Sequence, residues 1–144
     1  ASLVALHYGP HWRLTDDPAV KLGVFCTNGA VRSVFFNFIS EVIGTMVLVV
    51  VAGAIYSRGV SATGPAGGVG PWLVGSLVWG IGLSLGGTTG YAINPARDFG
   101  PRLAHALLPI PGKGGSNWSY ALIPIAGPLT GGILAGLLLH AAHI

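Results

Sequence analysis

Residues 86–101 read Gly86-Gly-Thr-Thr-Gly-Tyr-Ala-Ile-Asn-Pro-Ala-Arg-Asp-Phe-Gly-Pro101. Asn94 followed by Pro95 is typical of a helix start, because Asn caps a first turn and Pro fits the first helical position. We predict a helix over residues 94–108 of about 21 Å, too short to cross a hydrocarbon core of about 30 Å. Its ionisable residues are Arg97, Asp98, Arg102 and His105. A surface helix and a half-helix buried among membrane spans both fit this pattern.

The rest of the chain is strongly apolar. Of its 144 residues 51% are hydrophobic and only 8% are charged, and the mean hydropathy is +0.70. Soluble domains carry about 25% charged residues. So few charges cannot cover the surface of a water-soluble enzyme, and the hydrophobic content excludes a disordered chain. The composition therefore predicts a membrane protein.

Three apolar stretches, residues 34–56, 71–90 and 120–140, are long enough to span a bilayer. In lipid each must be helical, because its backbone groups have to hydrogen-bond within the segment. Glycines four residues apart occur at Gly82/Gly86, Gly127/Gly131 and Gly132/Gly136. Such pairs predict close helix contacts, since small residues let two backbones approach.

We expect residues 1–144 to form a single membrane domain. Residues 1–6 are apolar but too short to span, and we predict that they end a truncated helix that begins upstream. Residues 7–33 are polar and broken, which predicts a long extramembrane loop. The predicted fold class is an all-α membrane protein with three transmembrane helices and one re-entrant half-helix.

Several functional classes find no support in the sequence. The basic residues are scattered singly, so no stripe for nucleic acid exists. Cys26 is the sole cysteine, which excludes an intrachain disulfide and a Cys-rich metal site. Ser, His and acidic residues do not converge within any span, as an intramembrane enzyme would require. We therefore predict no enzymatic activity, no cofactor and no metal.

The loop before the short helix can recognise a neutral polar solute. A helix start carries a partial positive charge and free N–H groups, and the Asn94 amide adds further donors. The carbonyls of Gly90, Tyr91 and Ala92 would supply acceptors beside the Asn94 and Arg97 donors. A polyol or water could exchange its hydration for this ladder, whereas a cation would be repelled by Arg97 and the helix end. An intramembrane Arg is a candidate functional residue by default.

Asn94-Pro95-Ala96, followed at once by Arg97 and preceded by a Gly-rich span, resembles the second signature loop of the aquaporin, or major intrinsic protein, family. Asp98 with the following Phe-Gly-Pro resembles the aquaglyceroporin branch, the glycerol uptake facilitators. The stretch Phe25-Cys26-Thr27 and the acid Glu41 within the first span resemble that branch too.

The resemblance covers the second half of a six-helix fold. It implies a fragment that lacks its N-terminal half, a homotetramer in the full-length protein, and a multi-pass location in the cell membrane. It implies that Arg97, Tyr91 and Gly82 line a selectivity filter, with Tyr91 where glycerol facilitators often carry Phe. It implies that Asn94, Pro95 and Ala96 form the pore motif. Glu41 would accept backbone N–H bonds from the re-entrant loop. Independently of the resemblance, Asp98 and Arg102 are four residues apart on one helix face, which predicts that they pair.

The function predicted from these residues is a passive channel for glycerol, other small neutral solutes and water. The alternative is a proton- or ion-coupled secondary transporter, because such proteins also use broken helices at the membrane midplane. A coupled transporter needs an acid at its site, and Glu41 is the only candidate within the spans.

Overall fold

The computed structural model describes residues 1–144 and contains seven helices and no strands. The helices are α1 (Ser2–His7), α2 (His11–Leu14), α3 (Pro18–Gly23), α4 (Val34–Tyr56), α5 (Val69–Thr89), α6 (Pro95–Leu107) and α7 (Ile123–Ala141). Three of them, α4, α5 and α7, are long and apolar enough to cross a membrane. The prediction of an all-α protein with three such helices is confirmed.

The helix bounds differ from the predicted ones in two of the long helices. α4 has the predicted bounds, whereas α5 runs from Val69 to Thr89 instead of 71–90 because Gly90 adopts a left-handed conformation (φ 75°) that ends it. α7 begins at Ile123 instead of residue 120, since the N–H of Ile123 bonds to the Tyr120 carbonyl in a preceding turn. Residues 94 and 108 are the caps of α6.

Residues 7–33, which we expected to be an extended loop, contain two short helices instead. Asp17 caps α3 by accepting the Ala19 N–H at 2.8 Å, and Pro18 occupies the first helical position. A small apolar core forms from Trp12, Leu22, Phe25, Cys26 and Ile110. The sequence did not indicate this core because it depends on Ile110, which is remote in sequence. This core packs against the C-terminal end of α6, where Phe25 contacts the ring of His105.

α7 packs closely on α4 through one pair of glycines. A Cβ atom added at Gly127 would lie 2.6 Å from the Glu41 Cβ, and one added at Gly131 would lie 2.6 Å from the Val42 carbonyl oxygen. By contrast, a Cβ atom at Gly132 or Gly136 would meet no atom within 4 Å. The pairs look alike in sequence, but only the first lies where two backbones meet.

The chain reverses direction between α5 and α6. The end of α5 accepts a hydrogen bond from the N–H of Ala30, in the segment that precedes α4. Residues 92–93 then bind Glu41, about two turns into α4. α6 begins at that depth and runs back, so that Asp98 hydrogen-bonds to Thr27 near the start of α4. α6 therefore starts level with Glu41 and runs back towards the segment that precedes α4.

We expect Gly131→Val to lower the unfolding free energy by about 1–3 kcal/mol, because the new side chain would overlap the α4 backbone. The matched control is Gly132→Val, which introduces the same side chain on the same helix into open space. Thermal unfolding of the detergent-purified variants checks this. Equal destabilisation by the two substitutions would contradict the packing described.

Candidate functional site

Glu41 of α4 binds the loop between α5 and α6 and is buried, with 1% of its surface exposed. Its Oε1 accepts the Thr89 hydroxyl at 2.6 Å and the Ala92 N–H at 3.0 Å, and its Oε2 accepts the Ile93 N–H at 2.7 Å. Hydrogen bonds to an ionised acceptor are among the strongest in proteins. Both carboxylate oxygens are therefore occupied by the loop that leads into α6.

These bonds hold a strained backbone. Tyr91 has φ 40° and Ile93 has φ 43°. A β-branched residue such as Ile rarely adopts a positive φ, and such a conformation costs about 1–3 kcal/mol. The carboxylate of Glu41 compensates for this strain because its bonds to Ala92 and Ile93 form only when the loop has this shape.

Asn94 caps α6 and leaves its amide donors free. Its Oδ1 accepts the N–H groups of Ala96 at 2.9 Å and Arg97 at 3.3 Å. The amide nitrogen then carries the two N–H groups, which have no partner in the chain, and the side chain is exposed. The helix start therefore presents hydrogen-bond donors next to its positive dipole end.

The carbonyls that precede Asn94 form a set of free acceptors. The oxygens of Gly90, Tyr91 and Ala92 accept no hydrogen bond within the chain, although the N–H of Ala92 is bound by Glu41. The loop thus binds the N–H groups of Ala92 and Ile93 to Glu41 and leaves its three carbonyls unpaired, that of Ala92 on a residue only 1% exposed. Together with Asn94, it places unpaired acceptors directly before unpaired donors.

The ring of Tyr91 rests on two glycines of α5. A Cβ atom at Gly82 would lie 2.9 Å from the Tyr91 Cζ, and one at Gly86 would lie 2.8 Å from its Cδ1. The Arg97 guanidinium carbon lies 5.8 Å from the centre of this ring, within the range of a cation–π interaction. Gly82, Tyr91 and Arg97 are therefore neighbours, and Gly86 is part of the same contact although the sequence did not single it out for this role.

Two arginines on α6 have opposite environments. Arg102 is fully buried and pairs with Asp98 at 2.8 Å. Its other N–H groups donate to the carbonyls of Thr27 at 2.8 Å, Ser116 at 2.8 Å and Asn117 at 3.1 Å, and again to Asp98. Arg97 is exposed and makes no hydrogen bond or salt bridge through its guanidinium. Only the Arg97 guanidinium remains available to an external ligand.

Sequence reasoning missed the group that caps the other end of α6. Lys113 Nζ donates to the carbonyls of His105, Ala106 and Leu108 at 2.7, 2.8 and 2.6 Å. A cation is favourable at a helix C-terminus because the last carbonyls have no partner within the helix. A lysine shortly after the predicted helix end was the available signal. Both ends of α6 are thus capped by side chains.

Two further reactive side chains, Cys26 and His105, are enclosed by the fold. Cys26 is buried, and burial raises the pKa of its thiol to about 11, so the group stays protonated at neutral pH. The buried His105 ring lies with its Nδ1 2.9 Å from the Ser116 hydroxyl. No three His, Cys, Asp or Glu side chains come together as a metal site. Near the start of α6, the unpaired polar groups are those of the loop, of Asn94 and of Arg97.

The sequence was compared with protein-family models and with known proteins, and both comparisons found matches. Residues 11–139 match the family model described as "Major intrinsic protein". A "Probable glycerol uptake facilitator protein" of Thermotoga maritima is 62% identical over 96% of this chain and 57% of its own length. The "Glycerol uptake facilitator protein" of Bacillus subtilis is 56% identical over 99% of this chain and 50% of its own. A "D/L-lactic acid transporter" of Lactiplantibacillus plantarum is 39% identical over 96% and 57%. The chain spans about half the length of these relatives.

We expect Glu41→Gln to lower the unfolding free energy by about 1–3 kcal/mol, because an amide NH2 cannot accept the buried N–H that one carboxylate oxygen now receives. The control is Asp16→Asn, which makes the same chemical change at an exposed position outside this network. Chemical unfolding in detergent, followed by circular dichroism, measures both. A loss no larger than that of Asp16→Asn would contradict the role assigned to Glu41.

Proposed function

Because this chain belongs to the major intrinsic protein family, we propose that it supplies one half of a passive channel for glycerol, other small neutral solutes and water. It is a multi-pass membrane protein, and the proposed location is the plasma membrane. The observation that carries the proposal is the row of unpaired carbonyls at residues 90–92, which leads to the unpaired donors of Asn94 and Arg97.

In the proposed mechanism, a solute exchanges its water shell for these groups one at a time. A hydroxyl can donate to the loop carbonyls and accept from the Asn94 amide and from Arg97. The Tyr91 ring, which lies in the space that Gly82 leaves free, offers an apolar surface to the carbon side of a polyol. Cations are repelled because Arg97 and the positive end of α6 lie at the same place.

We propose that the second half of the channel is an N-terminal segment with its own Asn-Pro-Ala loop. Support comes from the relatives, which are nearly twice as long as this chain. It also comes from an apolar hollow of about 350 Å³ beside the start of α6, lined by Pro95, Ala96, Phe99 and Ile125. A second half-helix could pack there head to head with α6. In the full-length protein we propose a homotetramer.

The coupled transporter remains the weaker candidate. It would require Glu41 to gain and lose a proton during transport. Both oxygens of that carboxylate accept hydrogen bonds from Thr89, Ala92 and Ile93, and protonation would break at least one of them. This arrangement supports a positioning role for Glu41 within a passive path. The proposal accordingly contains no covalent step, cofactor or coupled ion.

We expect this chain to conduct glycerol when it follows the N-terminal half of the Thermotoga maritima relative, and not when it is reconstituted alone. One half of the path leaves the polar groups of the loop facing lipid instead of an enclosed pore. Stopped-flow swelling of proteoliposomes, without any ion gradient, measures the flux. Equal and high glycerol flux from both preparations would contradict the pairing. A flux that required a proton gradient would contradict the passive mechanism.

We expect Gly82→Ala in the paired protein to reduce glycerol permeability about fivefold to tenfold, and water permeability less. The added methyl group displaces the Tyr91 ring towards the proposed path, and a permeation barrier raised by about 1–1.4 kcal/mol corresponds to this reduction. Gly80→Ala is the control, because a methyl group there meets no atom within 4 Å. The ratio of glycerol to water flux is the measurement. An unchanged ratio in Gly82→Ala would rule out Gly82 as a determinant of path width.

A further inference from the structure

An apolar groove of about 420 Å³ lies between the beginnings of α4 and α7, away from the proposed path. All its lining residues are apolar: Val34, Phe35, Phe38, Leu122, Ile123 and Ala126. Three of them are strongly exposed, Val34 by 73%, Phe35 by 66% and Leu122 by 72%. The chain therefore leaves an apolar groove unfilled on two helices that are able to cross a membrane.

A free cation lies at the mouth of this groove. Arg32 precedes α4 by two residues and is exposed, and its guanidinium donates to the hydroxyl of Ser119 at 3.0 Å, just before α7. No acid pairs with Arg32, because the single salt bridge of the chain joins Asp98 to Arg102. The remaining N–H groups of this guanidinium have no partner in the chain.

The exposed residue Trp118 indicates at which level of the membrane the mouth of the groove lies. Trp118 adjoins Ser119 and is 44% exposed. Trp is enriched at the level of lipid headgroups, where its ring lies in the apolar region and its N–H meets water. The adjacent start of α4 at Val34 is the point where the apolar span begins. We therefore expect Arg32 and Ser119 to lie at headgroup level, with the groove extending from them towards the acyl chains.

We propose that this groove binds one acyl chain of an anionic phospholipid whose phosphate is bound by the free N–H groups of Arg32. The two chemistries are arranged as in such a lipid, with a fork of N–H donors above an entirely apolar groove. Arginine matches phosphate geometry through paired donors. A bilayer supplies phosphates at this depth around the whole protein, whereas a protein partner would need an acid at this one position. This proposal rests on residues outside the proposed path.

The first test compares lipid headgroups. The 144-residue chain is purified in detergent and mixed with equal amounts of dioleoyl phosphatidylglycerol and phosphatidylcholine, and native mass spectrometry counts the bound lipids. We expect preferential binding of the phosphatidylglycerol, reduced about fivefold in Arg32→Gln. The conservative variant Arg32→Lys keeps most of this preference because it keeps the charge. Equal binding of both lipids, or the same preference in Arg32→Gln, would overturn the proposal.

The second test fills the groove. Ala126→Phe places a ring among the lining residues, and we expect it to reduce binding of both lipids severalfold. The control, Leu129→Phe, adds a ring on the exposed surface of the same helix outside the groove and leaves lipid binding unchanged. Inorganic phosphate alone is expected not to displace the lipid, since the acyl chain contributes to binding. If Ala126→Phe altered only the oligomeric state, the groove would be a protein interface and the proposal would be wrong.

Discussion

The carboxylate of Glu41 is the interaction on which the rest of the site depends. It binds a hydroxyl and two backbone N–H groups of the loop between α5 and α6. That loop contains two residues with positive φ that would not adopt this conformation unaided. The N–H groups of Ala92 and Ile93 bind Glu41 while the carbonyls of residues 90–92 stay unpaired, and Asn94 begins α6 directly after them, level with Glu41. One buried charge thereby fixes the order of acceptors and donors along the loop.

A second buried network of charged groups holds α6 in place through Arg102, whereas Arg97 on the same helix takes no part in it. Arg102 uses all its donors on Asp98 and on the carbonyls of Thr27, Ser116 and Asn117. It therefore joins the half-helix to the segments on both sides of it, at a cost in desolvation that its many hydrogen bonds offset. Arg97 remains without such partners and keeps its charge available. Two arginines five residues apart thus have different tasks, one in holding α6 and one in facing the solute proposed above.

Glycine has two distinct uses in this fold. At Gly127 and Gly131 it lets α7 contact the α4 backbone next to Glu41, the residue that binds the loop. At Gly82 and Gly86 the missing side chains make room for the Tyr91 ring, which in turn lies beside Arg97. Other glycines at the same spacing have open space beside them. The spacing alone indicates that a close contact is possible, but the neighbouring element determines what that contact is.

The sequence by itself determined the all-α class, the three long apolar helices, the Asn94 cap and the Asp98–Arg102 pair. These follow from composition, from span length and from interactions within one turn of a helix, which are local properties. Tertiary structure decided that Glu41 would meet residues 92–93, that Lys113 would cap α6, and that the segment 7–33 would pack into short helices. Those contacts join residues distant along the chain, and a carboxylate or a lysine carries no sequence mark of its partner. The free energy that selects among possible partners comes from burial, which exists only once the helices have packed.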